Sequence, residues 1–228
     1  MSLRSRTLLS ALVAAAVLLV GATAAQAKFL DLTGSTTFTP SSQATTFLSN
    51  HGIAVAPTGQ ATAEEGGYVF PIAAGLGSPR SFYGLLAHKG GLKFTKGERS
   101  AVVRNFVAVR VKRGAVLLAQ VPGLRGGCSR LRAGLARFHL TERSGLRRTP
   151  GPRKVLRAVR RYCGGGRVIV LAHLTNLSKE LRYNGASLKA DLKLSREAAR
   201  LINRVAKSKV VSAGAPLGTA ESAVSVVN

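Results

Sequence analysis

"SFYGLLAHKGGLKFTKGERSAVVRNFVAVRVKRGAVLLAQV", residues 81–121, is the stretch that decides the fold. Strand-like runs at 81–88, 91–95, 101–112 and 115–121 are separated by the turn signals KGG, KGE and RG, which predicts an antiparallel meander. Within it, residues 82–94 read as a hairpin hinged at Lys89-Gly90-Gly91, with His88 at the last position before the turn and so at a sheet rim. In the third run strict alternation places Val103, Val107, Val109 and Val111 on one face and Arg104, Phe106, Arg110 and Lys112 on the other. One face is then core and the other basic and partly wet.

Working outward, residues 30–38 are Thr-rich and strand-like, and Ser41 offers a helix cap. Ala44, Phe47, Leu48 and His51 follow at i, i+3, i+4 and i+7, a helical face stopped by Gly52. Residues 53–56, 67–72, 167–174 and 186–194 read as strands, and Ser195 caps a second helix running to about Lys207. Ala198, Leu201, Ile202 and Val205 repeat the spacing of the first helix at one constant offset, with Ser195 matching Ser41 and Glu197 matching Gln43. Residues 210–227 read as one or two strands broken at Pro216-Leu217-Gly218. The class is mainly β: an antiparallel β-sandwich or a meander-based sheet with two or three short helices.

Arg4 and Arg6, an apolar run from Leu8 to Val20 and the ending Ala25-Gln26-Ala27 have the order of a secretory signal peptide, residues 1–27. The apolar run is short for a spanning helix, and no later stretch is long enough to span. The expectation is a secreted, extracellular or envelope-associated protein with one β-rich domain over 28–228 and no transmembrane segment. A basic Gly/Pro/Arg-rich insertion occupies roughly 122–166. In that compartment Cys128 and Cys163 read as one disulfide, the alternative being two buried thiols. Val155, Leu156, Val159 and Cys163 share a helical face there, surrounded by Arg153, Arg157, Arg160 and Arg161.

The chain carries 34 Lys and Arg against nine acids, a formal charge of +25, which favours polyanionic partners. Arginine forks at 153, 157, 160 and 161 suit anionic cell-wall polymers or lipid head groups. Specific nucleic-acid binding is not expected, because only Phe138 and Tyr162 interleave with that charge. No G-x-S-x-G, H-E-x-x-H, P-loop or G-x-G-x-x-G motif occurs, and Glu64-Glu65, the one neighbouring carboxylate pair, lies in a loop, so the chain reads as a non-enzyme with no metal site. His51, His139 and His173 lack partners at ligand spacing.

Five stretches carry a resemblance: "YVFPIAAG" (68–75), "FYGLLAHKGGLKF" (82–94), "SAVVRNFVAVRV" (100–111), "LKLSREAARLIN" (192–203) and "AGAPLGTAESAV" (213–224). Together they are similar to the HtaA-type domain of secreted and surface proteins of Gram-positive bacteria. The resemblance implies a mostly β, exported domain that captures haem through an axial tyrosine supported by a hydrogen-bonding histidine. By motif, His88 stands at the position of that histidine. The family's opening segment with a Trp and a Tyr is replaced here by "TTFTPSSQATTFL" (36–48), in a chain with no Trp at all. Tyr68 and Tyr83 are the neighbouring tyrosines. What the resemblance implies is a non-enzymatic binding module for haem or another planar ligand near His88, Tyr68 and Tyr83. A structural or adhesive protein holding anionic envelope polymer through its arginines is the alternative.

Overall fold

The structure is a computed structural model describing residues 30–77, 84–111, 114–124, 166–207, 209 and 211–227. Eleven strands and two helices follow in chain order. They are β1 (Leu30–Pro40), α1 (Ser42–Asn50), β2 (Ala54–Thr58), β3 (Thr62–Glu64), β4 (Gly67–Gly77), β5 (Gly84–His88), β6 (Gly91–Lys96), β7 (Arg99–Val111), β8 (Gly114–Val121), β9 (Arg167–Arg182), β10 (Gly185–Leu194), α2 (Arg196–Ala206) and β11 (Pro216–Val226). The protein is mainly β, and the meander-based sheet is the form it takes. All pairings are antiparallel, and the order β7-β5-β4-β1-β11-β10-β9-β8 returns to β7 through the β7–β8 ladder, so eight strands close a barrel. β6 and β2 extend the sheet beyond the ring from the first half of β7, and β3 adds to β4.

The stretch around His88 is not a hairpin. β5 and β6 run one after the other along the same edge of β7: residues 84–87 face 110–107, and residues 91–96 face 104–99. The tight turn instead joins β6 to β7, at Gly97-Glu98. Lys89 and Gly90 form a break in one long edge, and β7 has a matching irregularity at Asn105, whose φ is +54°. The Asn105 amide donates to the Gly90 carbonyl at 2.8 Å and the Lys89 amide to the Pro71 carbonyl at 2.9 Å, so the backbone groups released by the break are bonded again.

That bulge also corrects the face assignment of β7. One residue in the left-handed region shifts the side-chain period, so Val103 before it and Phe106 after it both enter the core with Phe70, Leu92 and Ile169. Val107 and Val109, which alternation grouped with Val103, lie on the opposite face from Phe106. Phe106 meets Phe70 edge-on at 5.0 Å between ring centroids.

Both helices begin as their sequences predict. Ser41 Oγ accepts from the Ala44 amide and Ser195 Oγ from the Ala198 amide, each at 3.1 Å. α2 buries Ala198, Ala199, Val205 and Ala206, and packs Leu201 and Ile202 against two apolar clusters. α1 buries no residue completely. His51 caps its end, Nδ1 donating to the Phe47 carbonyl at 2.8 Å while the ring stacks on Phe47. Residues 216–226 form a single strand, and β9 runs on to Arg182, past a bulge at Asn176 whose amide nitrogen donates to Asp191 at 2.6 Å. The expected signal peptide, Tyr83, His139, the segment with Arg153, Arg157, Arg160 and Arg161 that the periodicity predicts as a helix, and both Cys128 and Cys163 lie outside the described residues.

The break tolerates no side chain at Gly90. Gly90 has a φ of +85°, and a Cβ there would overlap the Ala61 amide. Gly97, at +54°, has nothing within 4 Å of the same added atom. Gly90→Ala is therefore expected to cost about 3 kcal/mol in urea unfolding, against about 1 kcal/mol for Gly97→Ala, where only the backbone preference is lost. Equal losses at the two positions would contradict the joint.

Candidate functional site

Period-two alternation decides what the barrel encloses. In β10 the residues Ala186, Leu188, Ala190, Leu192 and Leu194 point inward, whereas Lys189 and Lys193 are exposed on the other face. Pairing registers align one inward row across four strands: Leu188, Ser222, Thr36 and Phe70. Two of its four members are hydroxyl residues, buried in an otherwise apolar interior. A cavity of about 970 Å³ runs along this interior to Ala44, Phe47 and Leu48 of α1, and it is lined by Thr36, Tyr68, Phe70, His88 and Ser222 among many aliphatic side chains. Ligand sites typically span roughly 300–1,000 Å³, and an eight-stranded barrel is about the smallest that holds one small molecule.

His88 is 3% exposed and points into the barrel, not out from a rim. Its Nδ1 lies 3.2 Å from the Phe106 carbonyl and its Nε2 2.7 Å from Thr36 Oγ1, which is itself 2.7 Å from Ser222 Oγ. The hydrogen-bond directions follow from the carbonyl, which only accepts. A neutral imidazole must place its proton on Nδ1, so Nε2 accepts from Thr36, and Thr36 accepts from Ser222. Burial pushes the His88 pKa down from 6.5 to about 4, the bond to the Phe106 carbonyl pulling the other way. The ring is neutral at physiological pH, as this relay requires.

The bulge in β7 is what brings the Phe106 carbonyl to His88. Beyond it, Gln120, 2% exposed on β8, accepts from Asn105 Nδ2 at 2.9 Å and Arg104 Nε at 3.1 Å, which fixes the bulge from the far side. Sequence reasoning singled out His88 but neither Thr36 nor Ser222, which lie 52 and 186 residues from their partners. A Thr or Ser at an inward position of a strand was the only signal available.

Tyr68 lines the same cavity as His88, but its hydroxyl donates to the Val55 carbonyl on β2 at 3.4 Å and its ring packs against the core cluster that contains Phe70, Leu92 and Val103. The hydroxyl bonded to His88 Nε2 is that of Thr36. His173 is exposed on β9 and Glu64 is exposed at the end of β3. No group of three His, Cys, Asp or Glu suited to a metal occurs among the described residues. The cavity therefore fits the apolar body of a haem in size and lining, with Lys179 and Arg110 along it to meet carboxylates. Its donors do not fit the iron: the one imidazole lone pair accepts from Thr36, and an alcohol is not among the usual protein ligands of haem iron.

No family model matches the chain, and no curated protein does. Solved structures do. The C-terminal domain of HtaA from Corynebacterium glutamicum is 14% identical at a TM-score of 0.52, covering 86% of this chain and 97% of that one. The N-terminal domain of the same protein is 12% identical at a TM-score of 0.51, covering 86% and 98%. The haem-binding protein HtaB of that organism is 10% identical at 0.46. The chain thus has the HtaA-type fold, as the five stretches of sequence implied.

The neutral, buried His88 sets a pH dependence. Its folded pKa lies below its unfolded value, so the unfolded chain binds the extra proton first as pH falls. Its contribution is fully present above about pH 6.5 and is lost between there and about pH 4, a fall of about 3 kcal/mol by pH 4. Denaturant titrations at pH 7.5 and pH 4 compared with His88→Gln are expected to show that much less pH dependence in the variant. A variant with the wild-type slope would count against the buried neutral ring.

Proposed function

We propose that this protein is a secreted, envelope-associated, non-enzymatic binding module that holds a largely apolar, planar ligand with carboxylate groups inside its barrel, haem being the example the fold suggests. The single observation that carries the reading is the 970 Å³ cavity at His88, inside a fold shared with the HtaA domains. Apolar walls bind the ligand body through the hydrophobic effect, and basic side chains along the cavity receive its acidic groups. The export signal and the absence of catalytic motifs support the location and the non-enzymatic role. The alternative, polyanion binding by Arg153, Arg157, Arg160 and Arg161, rests on charge alone.

Titrating the purified protein with haemin is expected to give saturable absorbance changes at one equivalent. Ala190 is buried in the barrel wall and lines the cavity, so Ala190→Trp fills it and is expected to weaken binding at least tenfold, with circular dichroism confirming a folded variant. Binding indifferent to Ala190→Trp but abolished by salt would instead favour the polyanion reading.

A further inference from the structure

We infer that the cavity recognises the carboxylate-bearing apolar frame of its ligand and that none of the described residues lining it bonds a metal at the ligand's centre. This rests on the binding reading above and specifies its chemistry. Among the described residues lining the cavity, His88, Tyr68, Glu64 and the Thr36–Ser222 pair have donor atoms of the kind that could reach an iron, and Glu64 is exposed at the end of β3.

The His88 ring is engaged at both nitrogens, by the Phe106 carbonyl and by Thr36. Turning Nε2 toward a metal would break the 2.7 Å bond from Thr36 and leave a buried hydroxyl pair to reorganise in an apolar wall. Thr36 and Ser222 are alcohols spent on each other and on the ring. Tyr68 is the one phenol among the described residues lining the cavity. It differs from a poised iron ligand in two ways: its hydroxyl is turned to the Val55 carbonyl, and no hydrogen bond joins it to His88. The relay from Ser222 to the Phe106 carbonyl therefore closes His88 off from coordination while keeping it neutral. What remains for ligand contact is the aliphatic and aromatic wall, with Lys179 along it.

The deciding experiment compares haemin with metal-free protoporphyrin on the purified full chain, by calorimetry and absorbance, for wild type and Tyr68→Phe. The expected result is that both compounds bind with dissociation constants within about threefold of each other. Tyr68→Phe should leave the haemin constant within twofold and its visible spectrum unchanged. Haemin binding at least tenfold tighter than protoporphyrin, with the advantage or the spectral bands lost in Tyr68→Phe, would overturn the inference while leaving the binding reading intact. Saturation by neither compound would remove the binding reading and this inference with it.

Discussion

The barrel depends on one backbone irregularity, the pairing of the break at Lys89-Gly90 with the left-handed Asn105. A strand as long as β7 cannot keep one side-chain period and serve both halves of the sheet, because its first half supports β6 and β2 and its second half closes the ring. The extra residue at Asn105 resolves this by resetting which side chains face inward. The freed amide of Asn105 is satisfied by Gly90, and Gln120, buried on the neighbouring strand, takes donors from both Asn105 and Arg104. The same displacement exposes the Phe106 carbonyl to the imidazole of His88. Closure of the barrel and the state of its one described buried histidine are consequences of a single local geometry.

The polar row inside the barrel has a different origin. Thr36 and Ser222 meet because β1 and β11, from opposite ends of the described chain, pair in register over nine residues. Three hydrogen-bonding side chains are thereby buried together, and each satisfies the next, which is the condition under which such groups are tolerated in an apolar interior. The arrangement engages both ring nitrogens of the histidine, Nε2 meeting a threonine hydroxyl where the resemblance implies a tyrosine.

Much of this was readable in advance. Turn residues marked the meander, Ser41 and Ser195 announced both helix starts, and the periodic apolar residues of α2 are the ones that pack. The misreadings share a cause. A Gly-Gly pair after a strand looks the same whether it reverses the chain or only kinks it, and an Asn amid valines gives no sign that it will take a positive φ. Both are settled by what lies across the sheet, which local sequence does not encode. The partners of His88 were hidden for the same reason, being fixed by the register of strands far apart in the chain.

Closing the ring also governs how the molecule behaves toward its own copies. Ring closure pairs most of the backbone, but among the described residues open edges remain on the short strands β2 and β3, along the first residues of β7, and along β9 from Thr175 to Arg182, beyond the reach of β8. β3 is three residues long, and β2 carries Pro57, which has no amide hydrogen to offer. The outer half of β9 is therefore the longest template left for edge-to-edge growth, and its Lys179 and Arg182, with the strong positive charge of the chain, oppose close approach of copies. Protection against self-association thus rests on charge along one open edge as much as on closure of the ring.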